Sequence, residues 1–170
     1  GNFKDAGLEY TGALKVLQMI FSYEYLWIQI RVKGGAYGCM CSFSDQGDSM
    51  FVTYRDPNLA ESYKVYDKAA DYVADFDADD RDMKKYIIGT IGSMDMPMEA
   101  VDMGARSFHA YFLGKTESDL QKVRDQVLSC TQEDIRALAP IVKAVVEAGN
   151  RCCIGNEEKI DQNKEYFDEV

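Results

Sequence analysis

The chain has 170 residues, 46% of them hydrophobic and 28% charged, which is enough length and apolar content to build the core of one domain. With 29 acidic and 19 basic residues its net charge is −10, which excludes a general electrostatic attraction to nucleic acid. No apolar run approaches the roughly 20 residues that a bilayer crossing needs, so neither nucleic acid nor a membrane is an expected partner.

The cysteine count and the N-terminal sequence favour a reducing, cytoplasmic compartment. Five cysteines cannot all be paired in disulfides, and a chain of this length does not need disulfides to fold. The N-terminus lacks the basic and apolar segments of a secretory signal. The chain also begins at Gly1 rather than at Met, so we expect a processed or truncated product that shares its function with a missing part.

The first predicted element is a helix over residues 11–32, where apolar residues recur at helical spacing on two stripes. A helix that is apolar nearly all round belongs in a core, with other elements packed on more than one side. In an alternative interpretation residues 25–32 form a strand, because apolar side chains also alternate there. The helix is the favoured interpretation.

A β-hairpin is predicted after the Gly34-Gly35 pair, which interrupts the helical pattern. Residues 36–44 and 50–55 alternate in the way of strands on either side of a polar turn. The sequence Asp56-Pro57-Asn58 ends the hairpin, because proline cannot donate a hydrogen bond to a strand ladder.

The rest of the chain is predicted to be mostly helical. Helices are expected over residues 59–76, 79–91, 97–113, 116–130 and 131–149, the last with a bend at Pro140. The third of these has an apolar stripe of Val101, Phe108 and Phe112 and ends before Gly114. Residues 151–155 are predicted to form a short strand before an acidic tail.

The predicted fold class is α+β, with two layers in which an antiparallel sheet is packed against several helices. Capping boxes at Thr116 and Thr131 support the starts of the last two helices. Three visible strands make a thin sheet, so we expect one or more first strands of the domain to lie upstream. The sequence shows no internal repeat or linker, and residues 1–170 are interpreted as one partial domain.

Metal-ligating residues are sparse. A catalytic zinc site needs about three protein ligands, and the chain has one histidine, His109, which we expect to be partly buried on a helix. Cys39 and Cys41 share a strand face and Cys152-Cys153 lie elsewhere, but this spacing does not fit a structural zinc site. Buried hydrophobic roles are favoured for the cysteines, and a free-standing thiol metal domain is the least favoured function.

An acidic run at residues 75–82 resembles the start of a calcium loop. Counted from Asp75, the sixth position holds Asp80 where the loop needs glycine, and the twelfth holds Tyr86 where it needs a bidentate Glu. A solvated loop that leads into a helix N-terminus is the better interpretation.

The segment 31–38 is the most informative part of the chain. Gly34 and Gly35 have no side chains, so the main chain of a ligand can approach the backbone closely there. Both are candidate substrate-binding positions. Arg31 and Tyr37 lie six residues apart across this turn, where they can converge on one carbonyl or oxyanion. The alternative is a glycine turn with an arginine that caps a helix and a tyrosine in the core.

The pattern Arg-x-Lys-Gly-Gly-Ala-Tyr-Gly at residues 31–38, followed by Tyr-Arg-Asp-Pro-Asn at residues 54–58, resembles the presequence-protease branch of the pitrilysin/insulinase zinc metallopeptidases. The Asp95 to Pro97 turn, the helices at 104–114 and 119–125, and the Ile-Gly-Asn-Glu ending at 154–157 follow the same order as in that family. The resemblance covers essentially residues 11–160 and is to the last domain of a much longer protein.

The resemblance implies a fold like that of the mitochondrial processing peptidase and a clamshell of two halves that encloses unfolded peptides. It also implies that zinc is bound by the missing N-terminal half, with none in this chain, which alone should be inactive. By motif, Arg31 and Tyr37 are the accessory catalytic residues that bind substrate and stabilise the transition state. The mitochondrial or plastid matrix is a further location consistent with the family.

An alternative function is a non-catalytic assembly module, because the superfamily also includes subunits without a metal site. An intact zinc motif upstream would favour the peptidase, and its absence would favour the module. We also expect the chain to self-associate, because a missing edge strand leaves an open sheet edge or exposed apolar surface.

Overall fold

Most of the chain is helical, and one antiparallel hairpin is the sheet of the described part. The computed structural model describes residues 1–169. The elements are α1 (Ala13–Tyr23), a π-helix (Trp27–Lys33), β1 (Gly38–Phe43), β2 (Ser49–Tyr54), α2 (Leu59–Asp67), α3 (Ala69–Ala74), α4 (Asp80–Met94), α5 (Ala100–Phe112), α6 (Glu117–Leu128), α7 (Gln132–Arg136), α8 (Ala139–Glu147) and α9 (Glu157–Asp161). Short 3₁₀ turns lie at Phe3–Ala6 and Lys164–Tyr166. The predicted α+β class is confirmed.

Helix α1 is the centre of the core, as its apolar sequence predicts. Leu14, Leu17, Ile20 and Phe21 are at most 1% exposed. The helix packs against β1 on one side and against α4, α6 and α7 on others. Burial of each such side chain stabilises the fold by roughly 1.5–3 kcal/mol. None of the helices in residues 1–169 is long and apolar enough to cross a membrane.

The helix predicted over residues 11–32 changes its geometry part-way. The α-helix ends at Glu24, whose backbone is outside the helical region, and a π-helix follows from Trp27 to Lys33. Leu26 and Ile30, four residues apart, are buried there, whereas Ile28 between them is exposed. A strand would place all three on one face, so the alternative strand for residues 25–32 is wrong.

The hairpin has the predicted strands, and its register pairs Gly38 with Tyr54 and Phe43 with Ser49. A single bridge between Asn2 and Asp48 continues the pairing at the turn end.

The strand predicted over residues 151–155 is wrong. That segment is irregular, and Ile154 is 97% exposed. It is held by side chains instead. The Arg151 guanidinium lies 5.2 and 5.4 Å from the ring centres of Tyr63 and Tyr166, which stack on each other, and no ladder partner lies beside the segment in the described chain.

Several predicted helix boundaries are confirmed, and others differ from those observed in the structure. Thr116 and Thr131 form the expected capping boxes, and Gly114 has the left-handed backbone, with φ of 65°, that ends a helix. The predicted helix over residues 59–76 is divided at Lys68 into α2 and α3. The last helix is divided before Pro140, which lies in the first turn of α8, where its missing N–H is tolerated.

Helix α5 presents its apolar stripe to solvent. Val101, Phe108 and Phe112 are 79%, 65% and 68% exposed, and no residue of α5 is buried. The opposite face carries Arg106 and His109, which line a cavity of about 490 Å³ above the body of the domain. The expectation that His109 is partly buried is therefore wrong, because its side chain is exposed at the edge of this cavity.

Candidate functional site

Arg31 and Tyr37 come together at the open end of the hairpin. Arg31 extends from the π-helix, and its Nη1 donates a 2.9 Å hydrogen bond to the carbonyl oxygen of Ala36, which closes the turn between them. Its guanidinium carbon lies 5.2 Å from the ring centre of Trp27 and 5.6 Å from that of Tyr37. These distances are typical of cation–π contacts, so the arginine is held between two aromatic faces.

The π-helix explains why Arg31 points to this end of the sheet. Its last turn is closed by wide hydrogen bonds, from Gly34 N–H to the Gln29 carbonyl at 3.1 Å and from Ala36 N–H to the Ile30 carbonyl at 3.1 Å. Single π-turns inside helices are frequently found at functional positions. Trp27 and Arg31 lie four residues apart and share the face that opens beside β1.

Gly34 and Gly35 are required by the turn itself. A Cβ atom at Gly34 would lie 2.6 Å from the Ile30 carbonyl oxygen, and Gly35 has a φ of 76°. The N–H of Gly34 pairs with Gln29, and its carbonyl oxygen accepts from the Asn58 side chain. Both backbone groups of Gly34 are thus used within the protein. Gly35 is exposed, and a Cβ atom there would make only an ordinary contact, with Cγ of Pro57 at 3.9 Å.

Tyr37 is 63% exposed at the start of the hairpin. Its N–H donates to the carbonyl oxygens of Tyr54 and Arg55 at 3.1 and 3.3 Å, so the backbone is fixed while the side chain projects outward. The ring packs edge-on against Tyr54, with 5.9 Å between ring centres. The phenol therefore offers a hydroxyl donor to solvent from a constrained position.

Arg55 is a further member of the site that the sequence reasoning did not single out. Its guanidinium carbon lies 5.8 Å from the Tyr37 ring centre and 5.3 Å from that of Tyr54. Its backbone is left-handed, with a φ of 48°, and it is the one non-glycine residue of the described chain with positive φ. The sequence signal was its place in the Tyr-Arg-Asp-Pro-Asn motif, but the motif does not show the positive φ that directs the Arg55 side chain towards Tyr37.

The residues after Arg55 lock the site to the glycine turn. The carboxylate of Asp56 accepts from the backbone N–H of Asn58 at 2.9 Å and from the hydroxyl of Ser62. The Asn58 side chain reaches across to the carbonyl of Gly34. The motif at residues 54–58, here called the brace, thus links the end of the hairpin to the glycine turn through its polar side chains.

An open groove of about 830 Å³ begins at Trp27 and runs between α1 and α4. Met19, Cys39, Thr90 and Met94 line it, together with the stem of Lys15. Its mixed apolar and polar wall suits the side chains of an extended peptide, and Arg31 lies behind Trp27 at its end.

The candidate metal ligands do not converge. Within residues 1–169 no three His, Cys, Asp or Glu side chains are grouped so that they could hold a metal ion. Burial raises the pKa of both Cys41 and Cys130 to about 12, which keeps these thiols protonated. Cys152, in contrast to the expected burial, is exposed. In the acidic run, Asp79 caps α4 by accepting from the N–H of Asp82 at 2.8 Å, which confirms the helix N-terminus.

The comparison with protein families matches residues 1–156 to the model described as the PreP C-terminal domain. The chain belongs to the PreP C-terminal domain family. This match agrees with the resemblance found in the sequence.

Relatives of this PreP C-terminal domain include proteins named for presequence cleavage. The chain is 41% identical over its whole length to Protein HypA of Clostridium perfringens. It is 33% identical over 95% of its length to Presequence protease 1, chloroplastic/mitochondrial, of Arabidopsis thaliana, and 34% identical over 88% to the mitochondrial presequence protease of Aspergillus fumigatus. It spans 18%, 15% and 14% of the lengths of these relatives.

Proposed function

We propose that this domain is the C-terminal part, without its own zinc site, of a zinc-dependent metalloendopeptidase that degrades oligopeptides. In this proposal zinc and the hydrolytic residues belong to an N-terminal half of the same protein, as the resemblance to the metallopeptidase family implies. The domain forms a wall of the peptide chamber and contributes Arg31 and Tyr37. The family match and the small share of each relative that the chain spans support this proposal.

The observation that carries the proposal is the fixed pairing of Arg31 with Tyr37. The arginine is clamped between Trp27 and Tyr37 and uses one donor on Ala36, which leaves other guanidinium N–H groups for a ligand. A guanidinium and a phenol that converge on a peptide carbonyl can hold the substrate and stabilise the negative charge that develops on its oxygen. Because both groups are already positioned, little reorganisation is needed when the charge forms.

The same proposal assigns roles to the groove and to α5. The groove that begins at Trp27 accommodates side chains of an unfolded peptide. The exposed stripe of Val101, Phe108 and Phe112 packs against another part of the longer protein, which removes it from water. By relation to its bacterial and organellar relatives, the protein works in the bacterial cytoplasm or in a mitochondrial or plastid matrix.

The test is made in the longer protein that includes the zinc-bearing half. We expect Arg31→Ala and Tyr37→Phe each to lower the turnover of a fluorogenic peptide by about 10²-fold, in the range for loss of one oxyanion donor. Zinc content should stay at the wild-type value, since neither residue is a ligand. Arg81→Ala, at an exposed position on α4, is the matched control and should keep wild-type turnover.

A mixing experiment separates the peptidase from an assembly module. The chain alone should neither cleave peptide nor retain zinc, and cleavage should appear when it is mixed with the zinc-bearing half. Wild-type turnover in both Arg31→Ala and Tyr37→Phe would contradict the assigned roles. A longer protein without zinc or cleavage would identify the domain as part of an assembly module.

A further inference from the structure

We propose that the Arg55 guanidinium, on the Tyr37 ring that Arg31 also contacts, forms a subsite for a carboxylate of the bound peptide, so that the site prefers a peptide with an Asp or Glu side chain beside the segment it holds. The inference rests on the proposed function, because it names the class of peptide that the same site selects. It depends on the charge, geometry and solvent access of the two arginines.

The two guanidinium groups have no carboxylate partner within residues 1–169. Three other arginines of the chain do have one: Arg124 binds Asp95 through two hydrogen bonds of 2.6 and 2.7 Å, and Arg136 and Arg151 each lie 3.5 Å from an aspartate. In a chain with 29 acidic and 19 basic residues, two unpaired arginines on the same Tyr37 ring are a local excess of positive charge. Such a concentration attracts an anionic group, and the attraction is strongest at low ionic strength.

The aromatic rings orient this charge. The rings and guanidinium groups alternate in the order Trp27, Arg31, Tyr37, Arg55, Tyr54, with each neighbouring pair between 5.2 and 5.8 Å apart. An aromatic contact occupies the face of a guanidinium and leaves its N–H edge free. Five N–H donors in a planar fork match the two oxygens of a carboxylate, which an ammonium group does not.

The nearest acid does not compensate the charge of Arg55, because its oxygens are used elsewhere. The carboxylate of Asp56 accepts hydrogen bonds from Asn58 and Ser62, on the side of the brace. Arg55 itself is exposed and makes no hydrogen bond with its side chain among the described residues. A ligand carboxylate would therefore meet the Arg55 guanidinium without displacing an internal contact of Arg55.

The left-handed backbone of Arg55 allows a substitution that removes the guanidinium alone. Asparagine tolerates positive φ better than most residues, so Arg55→Asn keeps the turn while it deletes the charge. Arg55→Lys keeps the charge and deletes the planar fork. Arg81→Asn, at an exposed position away from the site, controls for the loss of one positive charge from the whole chain.

The chain reports binding through its single tryptophan, Trp27, which touches Arg31. The probes are two blocked pentapeptides, acetyl-Ala-Ala-Glu-Ala-Ala-amide and the same peptide with Gln in place of Glu, titrated against Trp27 fluorescence. At low salt we expect the Glu peptide to bind about 3- to 10-fold more tightly, as for a charge-assisted hydrogen bond at a partly exposed site. The preference should fall as salt is raised.

The variants decide which residue carries the preference. Arg55→Asn should bring the two affinities to within about twofold, Arg55→Lys should retain only part of the preference, and Arg81→Asn should retain all of it. A Glu preference that persists in Arg55→Asn would overturn the inference.

If both peptides bind the wild-type chain equally tightly, and Arg31→Ala abolishes this binding, the carboxylate subsite is overturned and the proposed function stands. A Glu preference that depends on Arg55 but survives Arg31→Ala would instead contradict the peptide-binding role of Arg31. A fluorescence signal that neither peptide changes would count against both.

Discussion

Gly34 and Gly35 are adjacent, yet a side chain is excluded from each for a different reason. At Gly34 the backbone is right-handed, and the obstacle is the Ile30 carbonyl oxygen, 2.6 Å from the position of a Cβ atom. At Gly35 a Cβ atom would make only an ordinary contact, with Pro57 at 3.9 Å, and the obstacle is the φ of 76°. The turn that sets the distance between Arg31 and Tyr37 thus depends on one steric and one conformational requirement.

We predict that Gly34→Ala lowers the free energy of unfolding by about 2 kcal/mol or more, because the clash is with backbone that cannot move alone. Gly35→Ala should lower it by about 1–2 kcal/mol, the strain of a left-handed non-glycine residue. Urea denaturation measures both. Gly38→Ala, where a Cβ meets nothing within 4 Å, is the matched control. A Gly34→Ala variant as stable as this control would contradict the prediction.

At the scale of elements, an ion pair links the hairpin to the junction of α5 and α6. The Lys115 ammonium contacts the Asp45 carboxylate, and Lys15 on α1 lies near the same acid. Partial burial alone would raise the pKa of Asp45, but the hydrogen bond and charge of Lys115 outweigh it, and the pKa is lowered from its ordinary value of 3.8. The folded state therefore favours the ionised acid.

This ion pair should make part of the stability depend on acid pH. A lowered pKa in the folded state contributes stability that is fully present above the ordinary pKa and is lost as the pH falls through the lowered value. We expect Lys115→Met to lower the free energy of unfolding by about 1 kcal/mol at pH 6, and the difference from wild type to shrink by pH 3. Denaturation of both proteins at a series of pH values measures this. An Asp45→Asn background should remove the effect of Lys115→Met, and a difference that stays constant with pH would contradict the prediction.

At the scale of the whole molecule, α5 stands out as a long helix with no buried residue. It is amphipathic in the usual way, but its polar face turns towards the body and its apolar face towards water, with Phe108 and Phe112 rings 4.5 Å apart. A surface of this kind is typical of an interface rather than of an isolated monomer. In the longer protein we assign it to contacts with the remaining domains.

We predict that the isolated chain self-associates through this face, since exposed apolar surface is buried when two copies meet. Light scattering at increasing concentration should show a mass above that of the monomer, and the double variant Phe108→Ser/Phe112→Ser should return it to the monomer. Ile88→Ser, which removes another exposed apolar side chain on α4, is the control and should leave the association unchanged. Monomeric wild type at high concentration would contradict the prediction.

The sequence by itself determined the features whose causes lie within a few neighbouring residues. The hairpin and its register follow from alternation around a polar turn, the caps at Thr116 and Thr131 from a hydroxyl three residues before a carboxylate, and the approach of Arg31 to Tyr37 from a short glycine turn. In each case the local chemistry permits one conformation, so the pattern predicts the structure without knowledge of distant contacts.

Only the tertiary structure decided the features that depend on packing between residues distant in the sequence. The change of α1 into a π-helix satisfies burial of Leu26 and Ile30 beneath the sheet, and no local pattern marks it. Residues 151–155 have strand composition but meet side chains of Tyr63 and Tyr166 instead of a strand edge. The sequence predicted the apolar stripe of α5 but not the direction in which it faces. The contact of Arg55 with Tyr37 depends on a positive φ at Arg55. In each case long-range packing selects among conformations that the local sequence leaves open.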